Sequence, residues 1–211
     1  MRTRQEADPA VHDVIAGYAA DAAELIVRYE ALSPADLLSP VFDLLPKKGR
    51  VLDLGAGTGR DAAWFAANGL HVLAVEPVAG FRDAGARLHP SPRIDWLDDR
   101  LPGLASVQKR GGAFDLVLLS GVWQHLDRAQ RTTAMPFLAK LLASSGILVI
   151  SVRHGPGAPN RPCFEGNAEE AIGLAKAAGL RLVRRRHVAS VQEGNRRAGV
   201  TWTWLAFTSP A

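Results

Sequence analysis

The sequence predicts an α/β domain with a mostly parallel sheet and helices on both faces. Three observations predict it. Short runs that are apolar throughout recur from residue 50 onward. Segments of helical spacing, closed by Gly or Asn stop signals, separate them. The last two apolar runs are joined instead by a polar, Gly-containing link, the mark of an antiparallel hairpin. Strands without a polar face need cover on both sides, which crossover helices supply.

The elements follow in order. Apolar residues at helical spacing, Val11, Ile15, Tyr18, Ala22, Leu25, Ile26 and Tyr29, predict one amphipathic helix from Val11 to about Ala31. Ser33-Pro34 and Ser39-Pro40 restart short helices, because Ser caps and Pro suits a first turn. Pro46–Gly49 is a turn. Arg50–Leu54 is the first strand, Arg60–Ala67 a helix stopped by Asn68-Gly69, and His71–Val75 the second strand. Val78–Leu88 is a helix, Arg93–Leu97 a third strand and Phe114–Leu119 a fourth. Arg128–Ala143 is a helix and Ile147–Val152 a fifth strand. Asn167-Ala168-Glu169-Glu170 has capping-box spacing, and Gly179 closes that helix. Leu180–Ala189 and Val200–Thr208 are the hairpin strands, linked through Gln192–Gly199. The Gly- and Pro-rich stretch His154–Gly166 is a long loop at the edge where open α/β sheets bind ligands.

Composition narrows the class. The chain of 211 residues fits one domain at roughly 100–200 residues each. Hydrophobic residues are 47% and charged ones 22%, which excludes wholesale disorder. A net charge of +4 permits an anionic partner without demanding nucleic acid. The lone Cys163 excludes an internal disulfide and a cysteine-rich metal site, and His12, His71, His89 and His187 show no ligand spacing. The start Met1–Glu6 is polar, with no apolar run behind it, and no run reaches the ~18 residues of a membrane span. The expected location is therefore the cytoplasm. Nothing in the sequence fixes an oligomeric state.

The most informative segment is Val51-Leu52-Asp53-Leu54-Gly55-Ala56-Gly57-Thr58-Gly59-Arg60-Asp61, which runs strand, glycine loop, helix. Glycines at alternate positions let the chain turn sharply and let a ligand lie against bare main chain. The second strand ends in Glu76-Pro77, where a carboxylate can accept both hydroxyls of a ribose. A dinucleotide loop needs a third glycine where Arg60 stands. Asp53, two residues before the first glycine, disfavours a pyrophosphate and suits a cationic amino-acid ligand.

With loop, Asp53 and Glu76 together, the chain resembles the class I S-adenosylmethionine-dependent methyltransferases. The resemblance spans roughly residues 49–152 and continues in topology to the end. It implies a Rossmann-like seven-stranded sheet with an antiparallel C-terminal strand, with residues 1–48 as a helical lid and 49–211 as the cofactor-binding part of one domain. It implies S-adenosyl-L-methionine as cofactor. The loop residues Asp53, Gly55, Ala56, Gly57, Gly59 and Arg60 would surround its methionine part. Glu76 and Pro77 would hold the ribose. Trp96–Pro102 offers Asp98 and Asp99 for the adenine amino group, with Asp98 slightly favoured. Ser120-Gly121-Val122, after the Phe114-Asp115 opening of strand four, would lie along the cofactor. Ser145-Gly146 replaces the family's usual Gly-Gly.

Methyl transfer from a sulfonium is an in-line displacement that chiefly needs alignment and exclusion of water, and effective molarity can supply ~7–11 kcal/mol of its barrier. A general base adds about 10²–10⁴-fold, and only where the nucleophile must lose a proton. Candidates on the acceptor side are His125 after strand four and Arg153 and His154 after strand five. Each has a plainer reading: His125 packs or bonds backbone, Arg153 pairs with a carboxylate, His154 is solvated. Tyr18 and Tyr29 sit at apolar periodic positions and fit core packing better than a lid contact. Arg184-Arg185-Arg186 alternates across a strand, so it is not one continuous patch. Trp202 and Trp204 share a face, as core or as pocket wall. Cys163 is read as inert unless its pKa is lowered.

The leading functional reading is methyl transfer to a small molecule. The Pro-Pro-aromatic sequence typical of base amino-methyltransferases is replaced here by Ser120-Gly121-Val122-Trp123, and no nucleic-acid module is apparent, so nucleic acid is disfavoured as partner. The basic balance and Arg153 admit a carboxylate or phenolate acceptor. The alternatives are a protein or RNA methyltransferase docking through the Arg-rich hairpin, a nicotinamide-dependent oxidoreductase, and a non-enzymatic sensor of S-adenosylmethionine.

Overall fold

The computed structural model describes the backbone of residues 9–209 and the side chains of residues 13–209. The polar start Met1–Glu6 and the side chains of Val11 and His12 lie outside the described residues.

Seven strands form one sheet: β1 (Arg50–Leu54), β2 (His71–Val75), β3 (Ile94–Leu97), β4 (Phe114–Leu119), β5 (Leu142–His154), β6 (Arg181–Ala189) and β7 (Thr201–Thr208). Their spatial order is β3-β2-β1-β4-β5-β7-β6. β1 to β5 pair in parallel, and β7 runs antiparallel to both neighbours. Strand order reverses between β1 and β4, and that reversal opens a crevice beyond the carboxyl ends of the strands.

Period-two alternation sends each strand's side chains into two cores. Leu52, Leu54, Leu73, Val75, Val117, Leu119, Ile150 and Phe207 pack on one face with α7 (Arg128–Lys140) and α8 (Ala168–Ala177). Val51, Val72, Ala74, Leu116, Leu118, Val149 and Trp204 pack on the other with Phe65 of α4 (Arg60–Ala67) and with Leu38 and Val41. Both faces are covered, as strands with no polar face require.

The loop-side helices differ from the sequence reading in instructive ways. The first helix is broken into α1 (Pro9–Ala20) and α2 (Ala22–Glu30). The break falls at Asp21, whose carboxylate accepts hydrogen bonds from Asn160 (3.0 Å) and from Arg161. Ser33 caps α3 (Pro34–Leu37) through Asp36 N–H, and Ser39–Leu44 is a 3₁₀ helix. α5 (Ala79–Leu88) starts one residue later than expected. α6 (Ala105–Arg110) was not expected; the Asp99 carboxylate accepts from the N–H groups of Ser106 (2.7 Å) and Val107 (2.9 Å) at its start. α7 is fixed by a capping box in which Asp127 and Gln130 bond each other's backbone N–H.

α7 ends at Lys140 and β5 begins at Leu142, so Leu142 and Ala143 are strand, not helix, and β5 starts before the expected Ile147. A register shift between Phe114 and Leu116 accommodates this, with Ser145 at φ 61°. That is a left-handed conformation that glycine adopts freely, which accounts for glycine as the usual residue there. Asn167 caps α8 through Glu170 N–H (2.7 Å), but the Glu170 side chain turns to Arg131 instead of closing the box. The hairpin link contains a short helix, α9 (Glu193–Arg197).

Candidate active site

A cleft of about 520 Å³ lies over the carboxyl ends of β1, β2, β4 and β5. α1 and α2 close one side through Ile15, Tyr18, Leu25 and Tyr29, which pack on Val78 and Phe81. The hairpin and the residue 155–163 loop close another.

The glycine loop forms the floor. β1 ends inside the sheet, so the chain must turn up immediately to reach α4. Gly57 holds φ 57°, and a Cβ there would point toward Tyr29 at 3.7 Å across the cleft. Its N–H donates to Glu76 Oε2 (2.8 Å), while Val78 N–H donates to Oε1 (2.8 Å). Glu76 is buried, and burial pushes its carboxyl up to about 7 against these two favourable hydrogen bonds. Each oxygen retains a second lone pair for a ligand hydroxyl. The Asp53 carboxyl is held well above the usual range, first by burial and then by Asp61, with Arg60 opposing. Its Oδ2 is buried with no hydrogen-bond partner, and the residue lines the cleft. A lone buried carboxylate oxygen is costly and fits a cationic ligand.

Arg60 spends its guanidinium on Asp61 (2.8 and 2.9 Å) and on the Tyr29 carbonyl (3.1 Å), so it ties α2 to the loop. Gly55, Ala56, Pro77, Ser120, Gly121 and Val122 line the same cleft. Gly59 does not; a Cβ there would strike Trp96 at 2.6 Å, so its role is packing. Asp99 lines the cleft with its carboxylate engaged at the start of α6, whereas Asp98 is exposed and pairs with Arg82 (2.9 Å). The slight preference for Asp98 thus finds no support in its position.

On the acceptor side, His125 Nδ1 lies 2.8 Å from the Pro162 carbonyl and Nε2 lies 2.8 Å from the Tyr18 hydroxyl. A carbonyl only accepts, so Nδ1 carries the proton and Nε2 accepts from Tyr18. Burial lowers His125 to about 4 and raises the Tyr18 phenol well above 10. Both ring nitrogens are therefore occupied, and the imidazole is neutral. Arg153 lines the cleft over Trp202, its guanidinium carbon 5.4 Å from the ring centroid. His154, one residue on, faces away from the cleft and bonds Thr203 Oγ1 (2.8 Å) beside His187. Strand alternation requires this split between neighbours.

The clasp over the cleft was missed in the sequence. Tyr18 meets His125, and Asp21 meets Arg161 and Asn160, across more than 100 residues of chain. Tyr18 and Tyr29 read as core because they are core on one edge, against Phe81. Arg184 and Arg185 are paired with Asp43 and Glu169.

A family model described as a methyltransferase domain matches residues 26–208. The chain belongs to the S-adenosylmethionine-dependent methyltransferases. No curated protein matches its sequence. Among solved structures it is similar to a 1,6-didemethyltoxoflavin N1-methyltransferase from Burkholderia thailandensis, bound to 1,6-didemethyltoxoflavin and S-adenosylhomocysteine. That likeness has a TM-score of 0.72 at 20% identity over 95% of this chain and 88% of that one. It is also similar to a TehB-like methyltransferase from Corynebacterium glutamicum (TM-score 0.65, 20% identity, 90% and 99% covered). A third is the N-methyltransferase NodS from Bradyrhizobium japonicum (TM-score 0.64, 18% identity, 84% and 86% covered). At these identities the likeness is one of fold.

The residues of this methyltransferase fit the cofactor that its family uses. Asp53, with its unpartnered oxygen, suits the amino group, Glu76 suits the ribose hydroxyls, and the bare main chain at Gly57 leaves the cleft clear. No helix among the described residues is long and apolar enough to cross a membrane.

Proposed function

We propose that the protein methylates a small molecule that carries an anionic group and whose nucleophile needs no base from the enzyme. The observation that carries this reading is the state of the acceptor-side groups. His125 has both nitrogens occupied and a pKa near 4, so it is a poor proton acceptor at neutral pH. Glu76 and Asp53 belong to the cofactor side. An amine or an already ionised oxygen can react without such help.

Bound S-adenosylmethionine supplies an electrophilic methyl on a sulfonium. Asp53 would hold the amino group of that ligand and Glu76 its ribose, and the Gly121–Val122 segment would face it across the cleft. α1 and α2 exclude water, clasped shut by Tyr18 on His125 and by Asp21 on Arg161. His125 thus serves as a post for the lid. Arg153 offers a cation to the acceptor on the far wall. The pairing of Arg184 and Arg185 with carboxylates removes two of the hairpin's cations from an RNA footprint.

The test is release of S-adenosylhomocysteine from S-adenosylmethionine with panels of small carboxylates, phenols and amines, against total RNA and protein. Turnover with a small molecule, little changed by salt, is expected. Turnover only with a macromolecule, falling steeply with salt, would overturn the reading.

A further inference from the structure

The cleft continues beyond Gly121 into a chamber at its β5–β7 end. Its walls are the end of β5, the cleft face of β7 and the α9 link. Arg153 and Trp202 are register partners on β5 and β7, so their side chains stand side by side on one face. Trp204, two residues on, shares that face and is buried beneath. The edge of the Trp202 ring comes within 3.8 Å of where a Cβ on Gly121 would stand, so the ring borders the β4 segment assigned to the donor.

Arg153 has donors to spare. Its Nε and Nη2 bond the Pro156 carbonyl (3.2 and 2.6 Å), and Nη2 reaches Asn195 Oδ1 at 3.5 Å. Among the described residues Nη1 makes no hydrogen bond and no carboxylate pairs with Arg153. Of the other arginines on the cleft, Arg28, Arg60 and Arg161 are each paired, with Glu24, Asp61 and Asp21, and Arg100 follows β3, at the opposite end of the sheet from β5 and β7. An arginine held by a neutral carbonyl, over a half-buried indole, presents a positioned cation beside a flat apolar surface. A flat anion matches both at once: the carboxylate meets the Nη1 end of the guanidinium and the ring packs against the part of the indole that the guanidinium does not cover.

We propose that this chamber binds a planar aromatic carboxylate, its ring against Trp202 and its charge at Arg153. The inference rests on the small-molecule reading above and names its substrate class. Arg153 then anchors rather than activates, since hydrogen bonds to a carboxylate reduce its nucleophilicity.

The experiment is calorimetric titration of protein saturated with S-adenosylhomocysteine. The probes are 2-naphthoate, its neutral carboxamide, and cyclohexanecarboxylate. We expect 2-naphthoate to bind at least about tenfold more tightly than either control. Arg153→Met should abolish the preference over the carboxamide, and Trp202→Leu the preference over the saturated ring, with affinity for S-adenosylhomocysteine unchanged in both. Unchanged affinity also shows that each variant is folded, and Arg153→Met, at a half-exposed site, carries the test if Trp202→Leu does not fold. Equal binding of the three probes, or a preference that survives its variant, overturns the proposal. Wild-type protein that fails to bind S-adenosylhomocysteine at all overturns the parent reading instead, and that is measured first.

Discussion

Glu76 shows how one buried carboxylate serves both the fold and the ligand. Ionising it inside the protein is unfavourable, and its folded value of about 7 lies above the ordinary 4.5. The stability it contributes is full below 4.5 and is lost as pH rises to about 7. Ligand binding has the opposite sign, because ribose hydroxyls donate to the ionised form. Affinity for S-adenosylhomocysteine should therefore rise from about pH 5.5 to about pH 8, by up to roughly tenfold per unit below the pKa, and rise less steeply in Glu76→Gln. Calorimetry across that range checks it; equal slopes would remove the ribose from Glu76. Glu76 was legible from sequence because it ends an apolar strand beside a glycine loop. The choice between Arg153 and His154 was not. Alternation says that one faces the cleft, but which one depends on the layer packed on each face, and Ser151, Arg153 and Trp202 settle it only once β5 meets β7.

Among the elements, those framed by local signals matched the sequence closely: β1, α4, β2 and β4 have the expected bounds. Elements set by distant partners did not. The helix break at Asp21 depends on Arg161, and α6 depends on Asp99. The loop after β5 was legible only as a loop. Its course is set by Arg131 of α7, buried to 1% exposure, which donates to the carbonyls of Trp123 (3.3 Å), Phe164 (3.0 Å) and Glu165 (3.1 Å) and pairs with Glu170 (2.9 Å). Phe164 N–H in turn bonds the Gln124 carbonyl (2.7 Å). This pin holds the Pro162 end that orients His125. Arg131→Met should lower unfolding free energy by roughly 3 kcal/mol, because several acceptors lose a common donor in the interior. Urea denaturation measures it; a change below about 0.5 kcal/mol, the range of an ordinary surface substitution, would mean that the network is incidental.

At the scale of the whole molecule, strand order, two apolar cores and the α1–α2 segment together turn an open sheet edge into a walled cleft. We place S-adenosylmethionine in this cleft along the β1–β4 reversal, amino group to Asp53 and sugar to Glu76. The local cost of that arrangement is a buried, unpartnered Asp53 oxygen and a carboxyl well above its usual range. The most direct measurement is a crystal structure grown with saturating S-adenosylhomocysteine. Its ammonium is expected within hydrogen-bond distance of the Asp53 carboxylate, and both ribose hydroxyls on Glu76. The ligand lodged elsewhere, or a cleft still empty at saturation, would contradict this placement.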